Sequence, residues 1–211
     1  MKPAWSKSER SVFYKLNSPK KIQDFLVFKI RHNPARDGVE CRSPREVLKF
    51  GKAHCMEGAL LAAAILEYHG QKPLLMDLRS ADNDLDHVVA LFRQFGGWGA
   101  ISKTNHAVLR YREPVYKTIR ELALSYFHEY FLDSGKKTLR EYSNAFNLNR
   151  LNHLSWRTTD KDLVELPERL DRAPHYGILS AAQIRNLRPA DSIEIKAGKL
   201  LEWKNKEKTS R

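Results

Sequence analysis

Cys55 and His87 have the residue types and the local settings of a nucleophile and its base. Cys55 stands at the start of a run rich in alanine and leucine that ends at Gly70, and this run predicts one buried helix. At a helix N-terminus, unpaired backbone N–H groups and the macrodipole stabilise a thiolate, and a nearby imidazolium stabilises it further. His87 belongs to a strand-like apolar run that continues through Phe92. The pair therefore predicts chemistry in which a thiolate attacks an acyl carbon.

The segment before Cys55 carries the signals of a short helix. Ser43 has the type of an N-cap, Pro44 suits the first helical position, and Glu46 follows the serine at the spacing of a capping box. A helix from this cap through Phe50 would deliver the chain to Cys55. Such a helix is expected to hold the nucleophile rigidly at the start of the next one.

After the cysteine helix, the pattern changes to short apolar runs that are typical of strands. Residues 71–78 form the first run, and the run containing His87 forms the second. Gly96 and Gly97 then predict a turn, and Trp98 opens the third run. We therefore expect consecutive strands to follow the cysteine helix.

This order of elements resembles the transglutaminase-like superfamily, which is distantly related to papain-like cysteine proteases and also contains peptide N-glycanases. The resemblance covers roughly residues 45–116. It implies an α+β fold with a transglutaminase-like or papain-like core, in which the nucleophile helix packs on an antiparallel sheet. It also implies that Cys55 is the nucleophile and that His87 is its base. No cofactor and no metal ion are expected.

The group that orients the histidine is less simply assigned. In that superfamily an Asp or Asn a few residues beyond the tryptophan orients the imidazole, and the corresponding place here holds Ser102. Asn105 is the nearest side-chain amide, of the kind that papain-like proteases use. Because alternate residues of a strand face opposite sides, the two would share a face only if the chain bulges or turns between them. Ser102 is favoured by position and Asn105 by chemistry.

Three more residues are expected at the site, on the side that meets the substrate. His54 directly precedes Cys55, and because neighbouring residues on a helix point apart, we expect it at the helix start rather than as the base. Trp98 is expected to pack under the site, and Lys103 is placed with these two as a substrate-binding candidate. The second cysteine, Cys41, has no such context and is predicted to be structural.

The length of 211 residues allows a sizeable core and favours a single domain with extensions. Residues 1–16 are polar and are expected to be loosely ordered, and residues 17–203 form the predicted transglutaminase-like domain. Within it, a helix from Thr118 through Leu132 and a C-terminal hairpin over residues 191–203 are predicted. Residues 204–211 are expected to be a charged tail.

Cysteine usage and hydropathy indicate the setting of the chain. Two cysteines do not make a disulfide framework, and the first residues do not have the pattern of a secretory leader. A reducing, cytoplasmic location is therefore expected. The longest apolar stretch, residues 59–66, is too short to cross a bilayer, so no membrane partner is expected.

Two other classes of protein stay open beside the enzyme, and the formal net charge of +12 is the reason for the first of them. Basic chains often bind nucleic acid, although here acidic residues are interleaved with the basic ones and no zinc-finger or aromatic RNA-binding signature is present. Nucleic acid is thus a second-choice partner, after a peptide, glycopeptide or small amide substrate. The other class is a catalytically degenerate thiol-enzyme fold that acts as a binding module, which the serine at position 102 suggests.

Overall fold

The computed structural model describes residues 5–33, 41–81 and 84–202. The helices are α1 (Lys7–Lys15), α2 (Pro19–Phe28), α3 (Pro44–Phe50), α4 (Cys55–Tyr68), α5 (Ile119–Leu124), α6 (Glu165–Asp171), α7 (Ala181–Arg185) and α8 (Ser192–Gly198). The strands are β1 (Arg31–His32), β2 (Lys52–Ala53), β3 (Leu74–Ser80), β4 (His87–Gln94), β5 (Gly97–Ser102), β6 (Arg112–Tyr116), β7 (Leu139–Ser143), β8 (Phe146–Asn147) and β9 (His175–Gly177). Two 3-10 segments are Phe127–Glu129 and Leu148–Leu154.

Strands β3 to β9 form one antiparallel sheet within the described ranges. Its strand order is β6-β5-β4-β3-β7-β9, and β8 pairs with β3 beyond the end of β7. The short strands β1 and β2 pair in parallel beside the start of α4. The expectation of an α+β fold with an antiparallel sheet is confirmed.

Helix α4 packs on one face of this sheet and is buried along most of its length. Side chains of β4 alternate between the two faces, because successive residues of a strand point in opposite directions. Val88 and Ala90 join the core that contains α4, whereas Val89 and Leu91 join the core on the opposite face. Both faces are therefore covered, which explains why β4 is apolar over most of its length rather than alternating with polar residues.

The predicted helix before the cysteine is present as α3. The hydroxyl of Ser43 accepts a hydrogen bond from the backbone N–H of Glu46, and Pro44 occupies the first helical position. Gly51 ends the helix with φ of 64°, a left-handed conformation that side chains disfavour. The turn at Gly51 directs the chain into β2, which leads to Cys55.

The expectation that residues 1–16 are loosely ordered is wrong for residues 5–16, which contain α1. Ser6 and Glu9 form a reciprocal capping box, and the Glu9 carboxylate accepts a hydrogen bond of 2.7 Å from Arg45 Nε. Phe13 is fully buried in the core beside α4. The segment is ordered because this cap, ion pair and buried ring connect it to α3 and α4.

The helix that begins after Thr118 is shorter than predicted. It ends at Leu124, because the backbone carbonyl of Ser125 accepts a hydrogen bond of 3.1 Å from Arg112 Nη2, while Arg112 Nε donates to the Ser125 hydroxyl at 3.0 Å. The predicted aromatic side chains beyond this point are nevertheless buried, as Tyr126 and Tyr130 show. A guanidinium from β6 thus ends the helix.

The predicted C-terminal hairpin is also wrong. Residues 192–198 form helix α8, because the Asp191 carboxylate caps its first turn and Glu194 completes a capping box. A cap of this kind favours a helix where the alternating isoleucines suggested a strand. Trp203 and the predicted charged tail over residues 204–211 lie outside the described residues.

Candidate active site

Cys55 is the first residue of α4, and a buried carboxylate organises the turn in which it lies. Glu57 is fully buried, and its two oxygens accept hydrogen bonds of 3.0 Å from the backbone N–H groups of His54 and Arg42. Arg42 Nη1 also lies 3.3 Å from Glu57 Oε1. The acid that the sequence places in the first helical turn therefore fixes the backbone on which the thiol stands.

The Cys55 thiol lies within hydrogen-bonding reach of two imidazole rings, those of His54 and His87. Burial raises the pKa of Cys55, but the hydrogen bonds and charges of these two rings outweigh it and lower the pKa well below the usual range of a thiol. The two rings thus shift the thiol toward its thiolate form. The structure brings together the two residues that the sequence predicts as nucleophile and base.

Ser102 provides the hydrogen bond that orients His87. Its Oγ lies 2.8 Å from His87 Nε2, and it also donates to the backbone carbonyl of Leu109 at 2.5 Å. A carbonyl can only accept, so the single proton of the Ser102 hydroxyl goes to Leu109, and Oγ must accept from His87 Nε2–H. This arrangement fixes the tautomer and leaves Nδ1 of His87 for the Cys55 thiol.

The backbone of Ser102 is itself held by a side chain of α2. Gln23 Nε2 donates to the Ser102 carbonyl at 2.8 Å, and Gln23 Oε1 accepts from the Ser102 N–H at 2.9 Å. Ser102 pairs with Val89 across β5 and β4, and His87 lies two residues from Val89 on the same face of the sheet. Strand register and the Gln23 amide together place the hydroxyl beside the imidazole.

The carbonyl that receives the Ser102 proton belongs to a residue with unusual backbone geometry. Leu109 has φ of 58°, in the left-handed region that a non-glycine residue seldom adopts. Its N–H donates to Glu129 Oε2 at 2.8 Å, and this carboxylate lies 2.7 Å from Arg112 Nη2. Leu109 and Glu129 are functional candidates that sequence reasoning missed, because no local pattern marks either residue.

Asn105, the second candidate for the orienting role, lies beyond the end of β5. Strand β5 ends at Ser102, so the alternation of strand faces does not extend to Asn105. Asn105 is buried, and its backbone carbonyl accepts a hydrogen bond of 2.8 Å from Glu202 N–H. Among the described residues, His87 Nε2 makes its hydrogen bond with the Ser102 hydroxyl.

Lys103 does not fit the substrate-binding role predicted for it. Its side chain is buried, and Nζ donates to the backbone carbonyls of Leu26 and Ile30 at 2.9 and 2.7 Å. Burial lowers the pKa of Lys103 to about 8. Its ammonium group donates hydrogen bonds to carbonyls at the end of α2. Because Lys103 and Leu26 are 77 positions apart in the chain, no local sequence pattern reveals this contact.

Trp98 does not lie under the thiol site. It pairs with Arg93 near the turn between β4 and β5, whereas His87 and Ser102 lie at the other end of these strands. Four residues of strand separate Trp98 from Ser102, a distance of roughly 13 Å. Trp98 instead lines a separate cavity of about 400 Å³ together with Lys117 and other residues.

His54 has the predicted position at the start of the helix, as the N-cap of α4. Its side chain is about one quarter exposed, and Nε2 lies 3.7 Å from Glu57 Oε1. The ring also lies within hydrogen-bonding reach of the Cys55 thiol, although the sequence places the two side chains apart. His54 is therefore both a neighbour of the nucleophile and a residue accessible to a substrate.

Neither Cys41 nor Cys55 forms a disulfide in the described ranges, and Cys41 is buried in the core as predicted. Asp77, Asp86 and Asp171 can each bring one carboxylate oxygen within 4.8 Å of the other two, a separation that a metal ion could bridge.

Across the described part of the chain, the helices are too short or too polar to cross a bilayer. Comparison of the sequence with family profiles and with curated proteins gave no match.

Proposed function

We propose that this chain is a thiol-dependent enzyme that hydrolyses an amide, or transfers its acyl group, through a thioester intermediate. The observation that carries the proposal is the series of hydrogen-bonded contacts that runs from Cys55 through His87 to Ser102. The resemblance to the transglutaminase-like superfamily supports the same assignment of nucleophile and base. The substrate is a peptide, glycopeptide or small amide.

The reaction begins from the Cys55 thiolate and the protonated His87. The sulfur attacks the acyl carbon, the carbonyl oxygen takes the electron pair, and the backbone N–H of Cys55 at the helix start stabilises the resulting oxyanion. When the tetrahedral adduct collapses, the C–N bond breaks, and His87 gives its proton to the departing amine. A thioester and a neutral imidazole remain.

The second half of the reaction releases the acyl group. Neutral His87 takes a proton from water, or from an amine in the transfer reaction, as the oxygen or nitrogen attacks the thioester carbon. The C–S bond then breaks and the thiolate of Cys55 is regenerated beside a protonated His87. The sequence of steps consumes one water or one amine and requires no oxidant, reductant or cofactor.

A neutral serine is compatible with this mechanism because of where its own proton goes. An orienting group must hold the histidine in one tautomer, and the wrong tautomer costs orders of magnitude in rate. Ser102 meets this requirement, since its proton is committed to Leu109 and its oxygen accepts from His87 Nε2. Serine lacks the negative charge of aspartate, so we expect weaker stabilisation of the imidazolium than a carboxylate would provide.

The uncharged orienting group also supports a second candidate, a thiol-enzyme fold that acts as a binding module. In that case the ligand would be bound at the same site without forming a thioester. Cys55→Ala would then leave both ligand binding and cellular function unchanged. The enzyme proposal requires Cys55→Ala to abolish the cellular function.

The test of the enzyme proposal is the rate of Cys55 alkylation by iodoacetamide from pH 5 to 9, in a Cys41→Ala background. An ordinary thiol has a pKa of about 8.5, so its alkylation slows below that pH. We expect the alkylation of Cys55 to stay fast well below it. His87→Ala should remove this low-pH reactivity, whereas His153→Ala, a change at an exposed histidine, should not. Ordinary thiol behaviour in the unmutated site would refute the proposal.

A further inference from the structure

A cavity of about 340 Å³ lies against α4 and β4, the helix and the strand that carry Cys55 and His87. Met56 and Val88, which follow Cys55 and His87 in the chain, both contribute to its wall. Two of the remaining lining residues, Pro167 and Leu170, are apolar. The other four are acidic: Asp77, Asp86, Glu168 and Asp171. A space of this composition suits a ligand with an apolar stem and a cationic end.

The innermost acid of the cavity has an oxygen without a partner. Asp77 is 4% exposed, and its Oδ2 lies 3.1 Å from His175 Nε2. Asp77 Oδ1 is buried and has no hydrogen-bond partner among the described residues. A buried polar atom of this kind costs free energy unless a ligand or water satisfies it. Because Asp77 lines the cavity, we take this oxygen as the acceptor for a donor that enters there.

The state of His175 keeps that oxygen an acceptor. His175 Nδ1 lies 2.7 Å from the backbone carbonyl of Ala173, which can only accept, so Nδ1 carries a proton. The contact between His175 Nε2 and Asp77 Oδ2 then contains one proton, on either the nitrogen or the oxygen. In both cases Oδ1 retains its lone pairs and can accept a hydrogen bond.

Asp86 adds negative charge at the cavity and forms no ion pair of its own among the described residues. Its hydrogen bonds come from the neutral N–H and hydroxyl of Ser80, at 2.7 and 3.1 Å. The other two acids at the mouth are each paired with a guanidinium, Asp171 with Arg79 and Glu168 with Arg172. Burial first, and the charge of Asp86 in addition, raise the pKa of Asp77 to about 6, against the opposing hydrogen bond from His175.

We propose that this cavity binds the protonated amino group of a lysine-like side chain of the substrate, with the ammonium between Asp77 Oδ1 and Asp86. The alkyl stem then contacts Met56, Val88 and Leu170. The inference rests on the proposed function, because it names the substrate class of that same site. An amine held as a cation has no free electron pair, so the cavity selects the acyl substrate and does not supply the acyl acceptor.

A divalent metal ion fits the same place less well. The three aspartates can bring their oxygens within 4.8 Å of one another, but Arg79 Nη2 already donates to Asp171 Oδ1 at 2.7 Å. This hydrogen bond occupies Asp171, a ligand that the ion would need, whereas the proposed ammonium position uses only Asp77 and Asp86. Hard cations also prefer six or more oxygen ligands, whereas half of the cavity lining is apolar.

The experiment is an NMR titration of the full chain carrying Cys55→Ala, so that no turnover interferes. The probes are Nα-acetyl-lysine N-methylamide and its neutral analogue, Nα-acetyl-norleucine N-methylamide. A charge-assisted hydrogen bond in a partly buried site predicts a preference of about tenfold or more for the lysine compound. Asp86→Asn and, separately, Glu168→Gln at the exposed mouth should reduce this preference, whereas Asp160→Asn at an exposed position elsewhere should not.

The proposal is overturned if the two compounds bind equally or if neither binds, and likewise if both mouth variants keep the full preference. If 1,5-diaminopentane binds as tightly as the lysine compound, the assignment of the cavity to a side chain of the substrate is overturned. If micromolar CaCl₂ displaces the lysine compound, the cavity is a metal site instead. Because binding is measured without the thiol, a failed alkylation test would leave this result standing, and the reverse also holds.

Discussion

Replacing Ser102 with alanine tests the orienting role directly. The change removes the acceptor of the His87 Nε2–H group and the donor to the Leu109 carbonyl at the same time. Gln23 of α2 should still hold the backbone in this variant, because it makes hydrogen bonds only with the N–H and the carbonyl of residue 102. The perturbation is therefore confined to the hydroxyl.

The expected size of the effect follows from the charge of the donor. A hydrogen bond from a charged group contributes about 1.5–3 kcal/mol, and one between neutral groups about 0.5–1.5 kcal/mol. The hydroxyl of Ser102 thus stabilises the imidazolium of His87 by about 1–1.5 kcal/mol more than the neutral ring. Since one pH unit corresponds to about 1.36 kcal/mol, the midpoint of Cys55 alkylation should move up by about one pH unit in Ser102→Ala.

The assay is the pH profile of alkylation, with the free energy of unfolding measured in parallel by urea. Leaving the Leu109 carbonyl unsatisfied should lower that free energy by about 1–3 kcal/mol. Ser180→Ala is a suitable control, because it removes the N-cap of α7, with a similar expected loss of about 1 kcal/mol, and does not touch the site. A Ser102→Ala profile that coincides with that of Ser180→Ala would refute the reasoning.

Two predictions concern the buried contact between α4 and Lys103. Gly58→Ala should lower the free energy of unfolding by about 1–3 kcal/mol, because the added Cβ would lie 2.3 Å from Lys103 Cβ. The control is Gly177→Ala, whose added Cβ meets no neighbouring atom, so urea unfolding should show almost no change for it. The pKa of Lys103, lowered to about 8, means that the unfolded chain binds more protons between pH 8 and 10.5, so this residue should make stability rise with pH there. Chemical unfolding across that pH window should show the rise in the free energy of unfolding for the wild type and not for Lys103→Met. Equal slopes of this free energy against pH in the two proteins would contradict the prediction.

Much of the thiol site was accessible from local sequence. The apolar run after Cys55 and the strand-like run at His87 are short-range patterns, and the Ser43 cap likewise acts within one helical turn. Each of these features depends on neighbours close in the chain, which is why composition and spacing were sufficient to predict the elements. The choice between Ser102 and Asn105 was not accessible in this way, since it depends on where β5 ends.

The remaining features depend on contacts between distant parts of the chain. Lys103 has the residue type of a substrate-binding group, but its two carbonyl partners lie at the end of α2 and no local pattern reveals them. The acidic cavity combines Asp77 and Asp86 with Asp171, which comes from a distant part of the chain. Where two local signals competed, as at Asp191, the cap prevailed over the alternation of apolar residues.

The groups that hold His87 in place differ in kind from those proposed to select the substrate. Ser102, the Leu109 carbonyl and the Gln23 amide are uncharged, and Ser102 and Gln23 are buried, so dissolved ions screen their contacts very little. The charges of Asp86 and Glu168 lie at the surface, where ions screen them strongly. Salt concentration should therefore change which substrates the protein accepts while leaving the reactivity of its thiol nearly constant.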